Sequence, residues 1–146
     1  VTGGTEGHKQ LFDAVVELDL KKVVLQTGKV DPEPYKTKRP KWTIIPYLTE
    51  FEKLVAESSM VITHQGGGTI FEAVLYGKPL IIVFNHEIPR SANTDDMRVL
   101  AKKVGAPFLD HVDSKTIESL ILEIGKQEKP HFENGRVKAA EIILHE

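Results

Sequence analysis

Apolar residues follow two rhythms in this chain. Met60–Thr63 and Pro79–Phe84 are short runs, mostly apolar and rich in β-branched residues, as expected of strands buried on both faces of a parallel sheet. Between them, Thr69–Tyr76 carries Ile70, Ala73, Val74 and Tyr76 close to helical spacing. Thr69 is positioned to cap that helix and Gly77 to end it, with Pro79 just beyond. The stretch therefore predicts a strand, a glycine turn, a helix and a second strand.

The same alternation runs through the rest of the chain. Val1-Thr2 reads as the end of a strand, whose first residues are expected before Val1, followed by a glycine turn through His8. A helix presenting Leu11, Phe12, Val15, Val16 and Leu18 follows, then a strand over Lys22–Thr27. Lys29–Lys41, with three prolines among charges, reads as an irregular surface loop. Trp42–Pro46 is a third strand, and Thr49 with Glu52 forms a capping box for a helix whose Phe51, Leu54 and Val55 face inward. After a polar loop over Asn85–Asn93, a helix is expected over Thr94–Val104, ended by Gly105. Pro107–Leu109 makes a short strand, Ser114–Gly125 a helix, and a last helix starts near Asn134 with Val137, Ala140, Ile143 and Leu144 on one side. Trp42 and Phe51 are read as core residues. Alternating strands and helices define an α/β class: a Rossmann-like, mainly parallel sheet with helices on both faces.

In such sheets ligands bind beyond the carboxyl ends of the strands, where the strand order switches. Both glycine turns, Gly3-Gly4 and Gly66-Gly67-Gly68, fall at such ends and should share one crevice. Consecutive glycines let backbone N–H groups approach a ligand, and the following helix N-terminus adds partial positive charge, so the second turn suits a phosphate or diphosphate. Phe71 stands where a dinucleotide fingerprint needs its third glycine, and no Gly-Lys-Ser/Thr follows, which excludes both common phosphate motifs. Glu72, one turn into the helix, is placed to accept hydrogen bonds from a ribose diol. A plain tight turn with a solvated glutamate fits the spacing equally well.

Composition narrows the field. One domain, residues 1–146, with a genuine core suits the length. The chain has no cysteine, hence no disulfide framework or thiolate zinc site. A formal charge of −2, dispersed along the chain, argues against a nucleic-acid binder. No apolar run reaches membrane-spanning length, and a cytoplasmic location is expected. Asp95-Asp96 starts a helix and reads as complement to its dipole. His64 ends a strand, either to bond a phosphate or to hold the glycine turn; His86 lies in the loop after Phe84, and the spacing of the two gives no reason to invoke a metal.

His64-x-Gly66-x-Gly68-Thr69-x-x-Glu72-Ala73, followed by Gly77-Lys78-Pro79-Leu80-Ile81-Ile82-Val83, resembles the donor-binding half of family 28 glycosyltransferases. Val1-Thr2-x-Gly4-Thr5 with Leu11-Phe12-Asp13 is similar to the short members: the small catalytic subunit of the dolichol-linked GlcNAc transferase and bacterial exopolysaccharide glycosyltransferase subunits. The resemblance implies one half of a GT-B enzyme. A membrane-anchored partner subunit would supply the other half, and the reaction would be an inverting transfer from a UDP-sugar, with GlcNAc the favoured sugar, to a lipid-linked acceptor at the cytoplasmic membrane face. No cofactor or metal is implied.

By the same resemblance, Gly66, Gly67, Gly68 and Thr69 would hold the diphosphate, Gly4 and Thr5 would approach it from the first turn, and Glu72 would hold the ribose. Asn85, Glu87 and Asn93 would contact the donor sugar. The chain reads Asn93-Thr94-Asp95 where family members commonly read Asn-His-Gln. Gly3-Gly4-Thr5-Glu6-Gly7-His8 also looks like a loop that the lipid II GlcNAc transferase carries in its other domain, which makes His8 a candidate catalytic base. The bland alternative for His8 is a solvated histidine at a helix start. Two further functions remain as alternatives, a non-catalytic UDP-sugar-binding or regulatory module and a hydrolase or epimerase acting on UDP-GlcNAc, and self-association of an isolated half-enzyme is also open.

Overall fold

In the computed structural model, which describes residues 1–89 and 92–126, strands and helices alternate strictly. The elements are α1 (Lys9–Val15), β1 (Val24–Gln26), α2 (Glu33–Lys38), β2 (Thr43–Ile45), α3 (Phe51–Glu57), β3 (Val61–Thr63), α4 (Gly67–Leu75), β4 (Leu80–Val83), α5 (Thr94–Val104), β5 (Phe108–Leu109) and α6 (Ser114–Lys126). Every strand pair is parallel: β1 with β2, β3 with β4, and β4 with β5.

The two sheets are stitched together by Val1-Thr2. Thr2 forms a parallel bridge with Gln26, Gln26 N–H donates to the Val1 carbonyl at 3.0 Å, and Thr2 N–H donates to the Ile62 carbonyl at 3.0 Å. The order across the molecule is therefore β2, β1, Val1-Thr2, β3, β4, β5. The chain winds outward on one side of Val1-Thr2 and then returns to build the other side. This is the doubly wound order, with its switch point between Val1-Thr2 and β3.

Side-chain alternation along the strands creates two cores. Ile62, Ile81 and Val83 pack with Leu11, Phe12 and Val15 of α1, Tyr35 of α2 and Ile117 of α6. Val61, Leu80, Ile82 and Phe84 pack with Val55 of α3, Ile70 and Ala73 of α4, and Met97 and Ala101 of α5. Helices thus cover both faces of the sheet, as expected. Trp42 is buried and donates Nε1–H to the Leu20 carbonyl at 3.0 Å, and Phe51 packs against the second core.

Several local expectations need correction. Residues 29–41 are not irregular throughout, because α2 forms there. Asp31 Oδ1 accepts the Glu33 N–H at 3.1 Å, and Pro34 sits in the first turn where no intrahelical donor is needed. Tyr35 is then buried, with its hydroxyl on Asp13 Oδ1 at 2.6 Å. Thr49 does not cap α3; Glu50 occupies the N-cap without a side-chain hydrogen bond. Thr69 does not cap α4 either, since that helix starts two residues earlier, with Gly66 at its N-cap. Strands are shorter than their apolar runs at Lys22–Thr27 and Trp42–Pro46. α5 keeps the expected bounds and ends at Gly105, whose φ of 69° is the left-handed conformation that glycine adopts without a Cβ clash. The helix expected from Asn134 lies outside the described residues.

Candidate functional site

The carboxyl edge of the sheet gathers the turn after Val1-Thr2, the turn after β3 and the loop after β4. In the first turn, Gly7 N–H closes onto the Gly3 carbonyl at 3.0 Å, and Thr2 Oγ1 accepts the Gly4 N–H at 3.0 Å. Gly4 adopts φ of 62°, and His8 takes the N-cap position of α1. His8 is only 1% exposed, so the reading of a solvated histidine at a helix start does not hold.

His64, at the end of β3, is 6% exposed, and its ring centroid lies 6.3 Å from that of His8. A Cβ on Gly4 would fall 3.1 Å from His64 Nε2, and one on Gly66 would fall 3.3 Å from the same atom. The imidazole is thus held between the two glycine turns, which lie side by side at the carboxyl edge of the sheet. Burial pushes the pKa of both histidines down to about 4; for His8, the neighbouring His64 and His86 add to the effect. Both rings are neutral at pH 7, and Nδ1 of each is buried without a hydrogen-bond partner.

α4 opens on this crevice with Gly67 and Gly68 exposed and Thr69 half-buried. The N–H groups of its first turn have no intrahelical carbonyl to bond, and no side chain caps the helix. A Cβ on Gly68 would meet nothing within 4 Å, so the backbone there is open to a ligand. Glu72 lies four residues on, along the same helical face as Gly68. Its Oε2 is buried and unpartnered, and burial, with repulsion from Glu52, raises its pKa. That carboxylate oxygen lacks a hydrogen-bond donor within the protein.

Asn85 is buried and fully engaged within the protein. Its Nδ2 donates to the Gly7 carbonyl at 2.8 Å, and its Oδ1 accepts the Glu87 N–H at 3.0 Å. Gln65 holds the Asn85 backbone from both sides, accepting its N–H at 2.8 Å and donating to its carbonyl at 2.7 Å. Asn85 therefore locks the β4 loop to the first turn. Gln65 was not singled out in the sequence; the only hint was a polar residue between a strand end and a glycine turn.

The remaining candidates lie at the rim. Thr5 is exposed and its carbonyl accepts the Lys29 N–H at 3.0 Å. Glu87 is exposed, with its carboxylate near enough to Lys9 to help raise that ammonium's pKa. Asn93 caps α5, its Oδ1 accepting the Asp96 N–H at 2.8 Å, and Asp95-Asp96 occupy the first turn as the dipole argument expected. His86 turns instead toward Asp110 and His111.

Residues 1–143 match the glycosyltransferase family 28 C-terminal domain. The chain belongs to this family. It is 29% identical over 99 residues to the UDP-N-acetylglucosamine transferase subunit ALG13 of Mus musculus, covering 60% of this chain and 8% of that protein. The ALG13 subunit of Homo sapiens is 26% identical over 91 residues, with 61% and 8% covered. The UDP-N-acetylglucosamine--N-acetylmuramyl-(pentapeptide) pyrophosphoryl-undecaprenol N-acetylglucosamine transferase of Flavobacterium psychrophilum is 24% identical over 141 residues, covering 88% of this chain and 38% of that enzyme. The chain thus spans well under half the length of these curated relatives. In fold it is similar to MurG of Acinetobacter baumannii, with a TM-score of 0.66 and 19% identity, over 95% of this chain and 43% of MurG. The fold is that of one half of a GT-B glycosyltransferase. No helix among the described residues is long and apolar enough to cross a membrane.

Proposed function

We propose that this chain is the donor-binding half of an inverting glycosyltransferase that moves N-acetylglucosamine from UDP-GlcNAc to a lipid-linked acceptor, with a membrane-anchored partner subunit completing the cleft. The family membership supports transferase chemistry. The names of the relatives support the sugar, the lipid-linked acceptor and the subunit arrangement. The observation that carries the reading is the clamp of His64 between Gly4 and Gly66, directly beside the open N-terminus of α4.

In this reading the first-turn N–H groups of Gly67, Gly68 and Thr69 receive the diphosphate and stabilise its charge as it departs. Glu72 accepts the ribose hydroxyls through its unpartnered Oε2. His64 presents a neutral imidazole to the crevice and sets the spacing of the two turns. A base works best with a pKa near the operating pH, so His8, at about 4 and buried, is better suited to bonding or positioning than to deprotonating an acceptor. The acceptor's base then belongs to the other half of the cleft. Asn85, Glu87 and Asn93 contribute by shaping the sugar side of the crevice, Asn85 through the loop that it locks.

A second reading, a UDP-sugar-binding module without catalysis, is favoured by one observation. Asn93, with Thr94-Asp95 after it, is engaged in starting α5, in a segment that departs from the family pattern. Calorimetric titration with UDP, UDP-GlcNAc, UDP-glucose and UDP-galactose tests the donor site, with Glu72→Ala as the control. Binding that is lost in the variant, and turnover once a membrane partner is co-expressed, is the expected result. Binding without turnover in that complex would favour the module. No binding in the complex would reject both readings.

A further inference from the structure

The β4–α5 and β5–α6 loops bring together a side-chain cluster that the donor site does not use. His86 Nε2 lies 2.7 Å from the Asp110 carbonyl oxygen and 3.0 Å from Asp110 Oδ1. Both are acceptors, so Nε2 carries a proton in this arrangement. The His111 ring stacks on His86 with centroids 4.8 Å apart and 17° between planes. One ligating atom from each of His86, Asp110 and His111 lies within 4.8 Å of the others.

We propose that His86, Asp110 and His111 form a surface site for a divalent transition-metal ion of the zinc class, with open positions left to solvent. Two imidazoles and one carboxylate are a donor set for Zn²⁺, Ni²⁺ or Cu²⁺ rather than for Mg²⁺ or Ca²⁺, which require oxygen ligands. Tetrahedral ligands at about 2.0–2.1 Å from zinc stand about 3.3 Å apart, so the exposed side chains must close in and at least one imidazole must rotate out of the stack to aim its in-plane lone pair at the ion. An ion inserted between His86 and Asp110 takes the place of the Nε2 proton.

The backbone beneath the cluster is firmly held. Val83 pairs with Leu109 in the sheet, Phe84 N–H donates to the Leu109 carbonyl at 2.8 Å, and Asn85 is buried next to His86. Arg98 Nη2 holds Asp110 Oδ2 at 2.9 Å, which leaves Oδ1 facing His86 as a single ligand atom. Both histidines are exposed, so an ion has direct access. Its consequence would be to fasten the loop after β4 to the end of β5, at the edge of the sheet that also carries the crevice.

The test is calorimetric titration of the untagged chain with Zn²⁺, alongside His86→Ala and His111→Ala. One ion per chain is expected, with each variant weakening binding at least tenfold and losing the rise in Tm that zinc produces in the parent. Imidazole ¹⁵N spectra of the unaltered chain provide a readout that needs no variant: the ring nitrogens of His86 and His111 should shift first. Absence of binding at millimolar Zn²⁺, parent-like binding by both variants, or first shifts at His131 or His145 would overturn the proposal.

Discussion

Asn85 Nδ2 donates to the carbonyl of Gly7 at 2.8 Å, joining residues 78 positions apart across the switch point of the sheet. Both groups are buried, so truncation leaves a carbonyl without its donor. Asn85→Ala should lower unfolding free energy by about 1–3 kcal/mol, the usual cost of orphaning a buried polar group, read from urea denaturation. UDP affinity should fall with it, because the two loops that border the crevice lose their tie. Unchanged stability would mean that Gln65 alone holds the β4 loop.

Gly4 and Gly68 should respond in opposite ways to alanine. At Gly4 a Cβ meets His64 Nε2 at 3.1 Å and the backbone φ is 62°, so Gly4→Ala should lower Tm. At Gly68 the space is open and the backbone helical, so Gly68→Ala should keep or raise the unfolding free energy, by up to about 1 kcal/mol of helix propensity. Yet it should weaken UDP binding by at least about tenfold, or about 1.4 kcal/mol, because the methyl group occupies the ligand's approach. UDP binding by Gly68→Ala equal to the parent's would remove the α4 N-terminus from the site.

Acid should destabilise the fold through His8 and His64. Their folded pKa values of about 4 lie below the ordinary 6.5, so the unfolded chain binds more protons between these values. Stability is then unaffected by these groups above pH 6.5 and falls as pH drops toward 4. The loss is on the order of 3 kcal/mol for one histidine, and the two are not additive because each faces the other. In urea unfolding from pH 7.5 to 4.5, His64→Gln should show a shallower acid slope than the parent. An identical slope would mean that the pKa of His64 is the same in the folded and unfolded chain.

Glu72→Gln should raise Tm near neutral pH while weakening UDP binding. Burial of Oε2 and repulsion from Glu52 raise the pKa of this carboxyl, so its ionised form is disfavoured in the folded state. The sign follows: the cost appears as pH rises through the carboxylate range, and an uncharged amide avoids it. A lower Tm would show that the carboxylate is held by a partner even without ligand.

Asn93 separates a structural role from a sugar contact. Asn93→Ala should cost about 1 kcal/mol through the lost cap on Asp96 N–H, whereas Asn93→Asp keeps an equivalent cap. If Asn93→Asp retains parent stability but alters the ranking of UDP-sugars, the residue touches the donor. An unaltered ranking confines it to starting α5.

Apart from α2, the order of elements, the two-sided burial of the strands and the position of the glycine turns followed from sequence alone. Those features are written in local periodicity and in the backbone freedom of glycine, which need no distant partner. Where helices begin was less legible: Thr49 and Thr69 look like caps, but tertiary packing starts α3 and α4 at neighbouring residues. α2 was missed because its prolines suggest a loop until the Asp31 turn and the burial of Tyr35 are included.

Only the tertiary structure decided what the polar residues of the crevice do. Thr2 pairs with Gln26 and Ile62, 24 and 60 residues further on, and this pairing sets His64 between Gly4 and Gly66. Asn85 became a buried tie, Asn93 a helix cap, and His86 joined Asp110 and His111. A side chain's partners depend on which strand ends are neighbours in the sheet. That adjacency is set by long-range parallel pairing, so no window of sequence contains it.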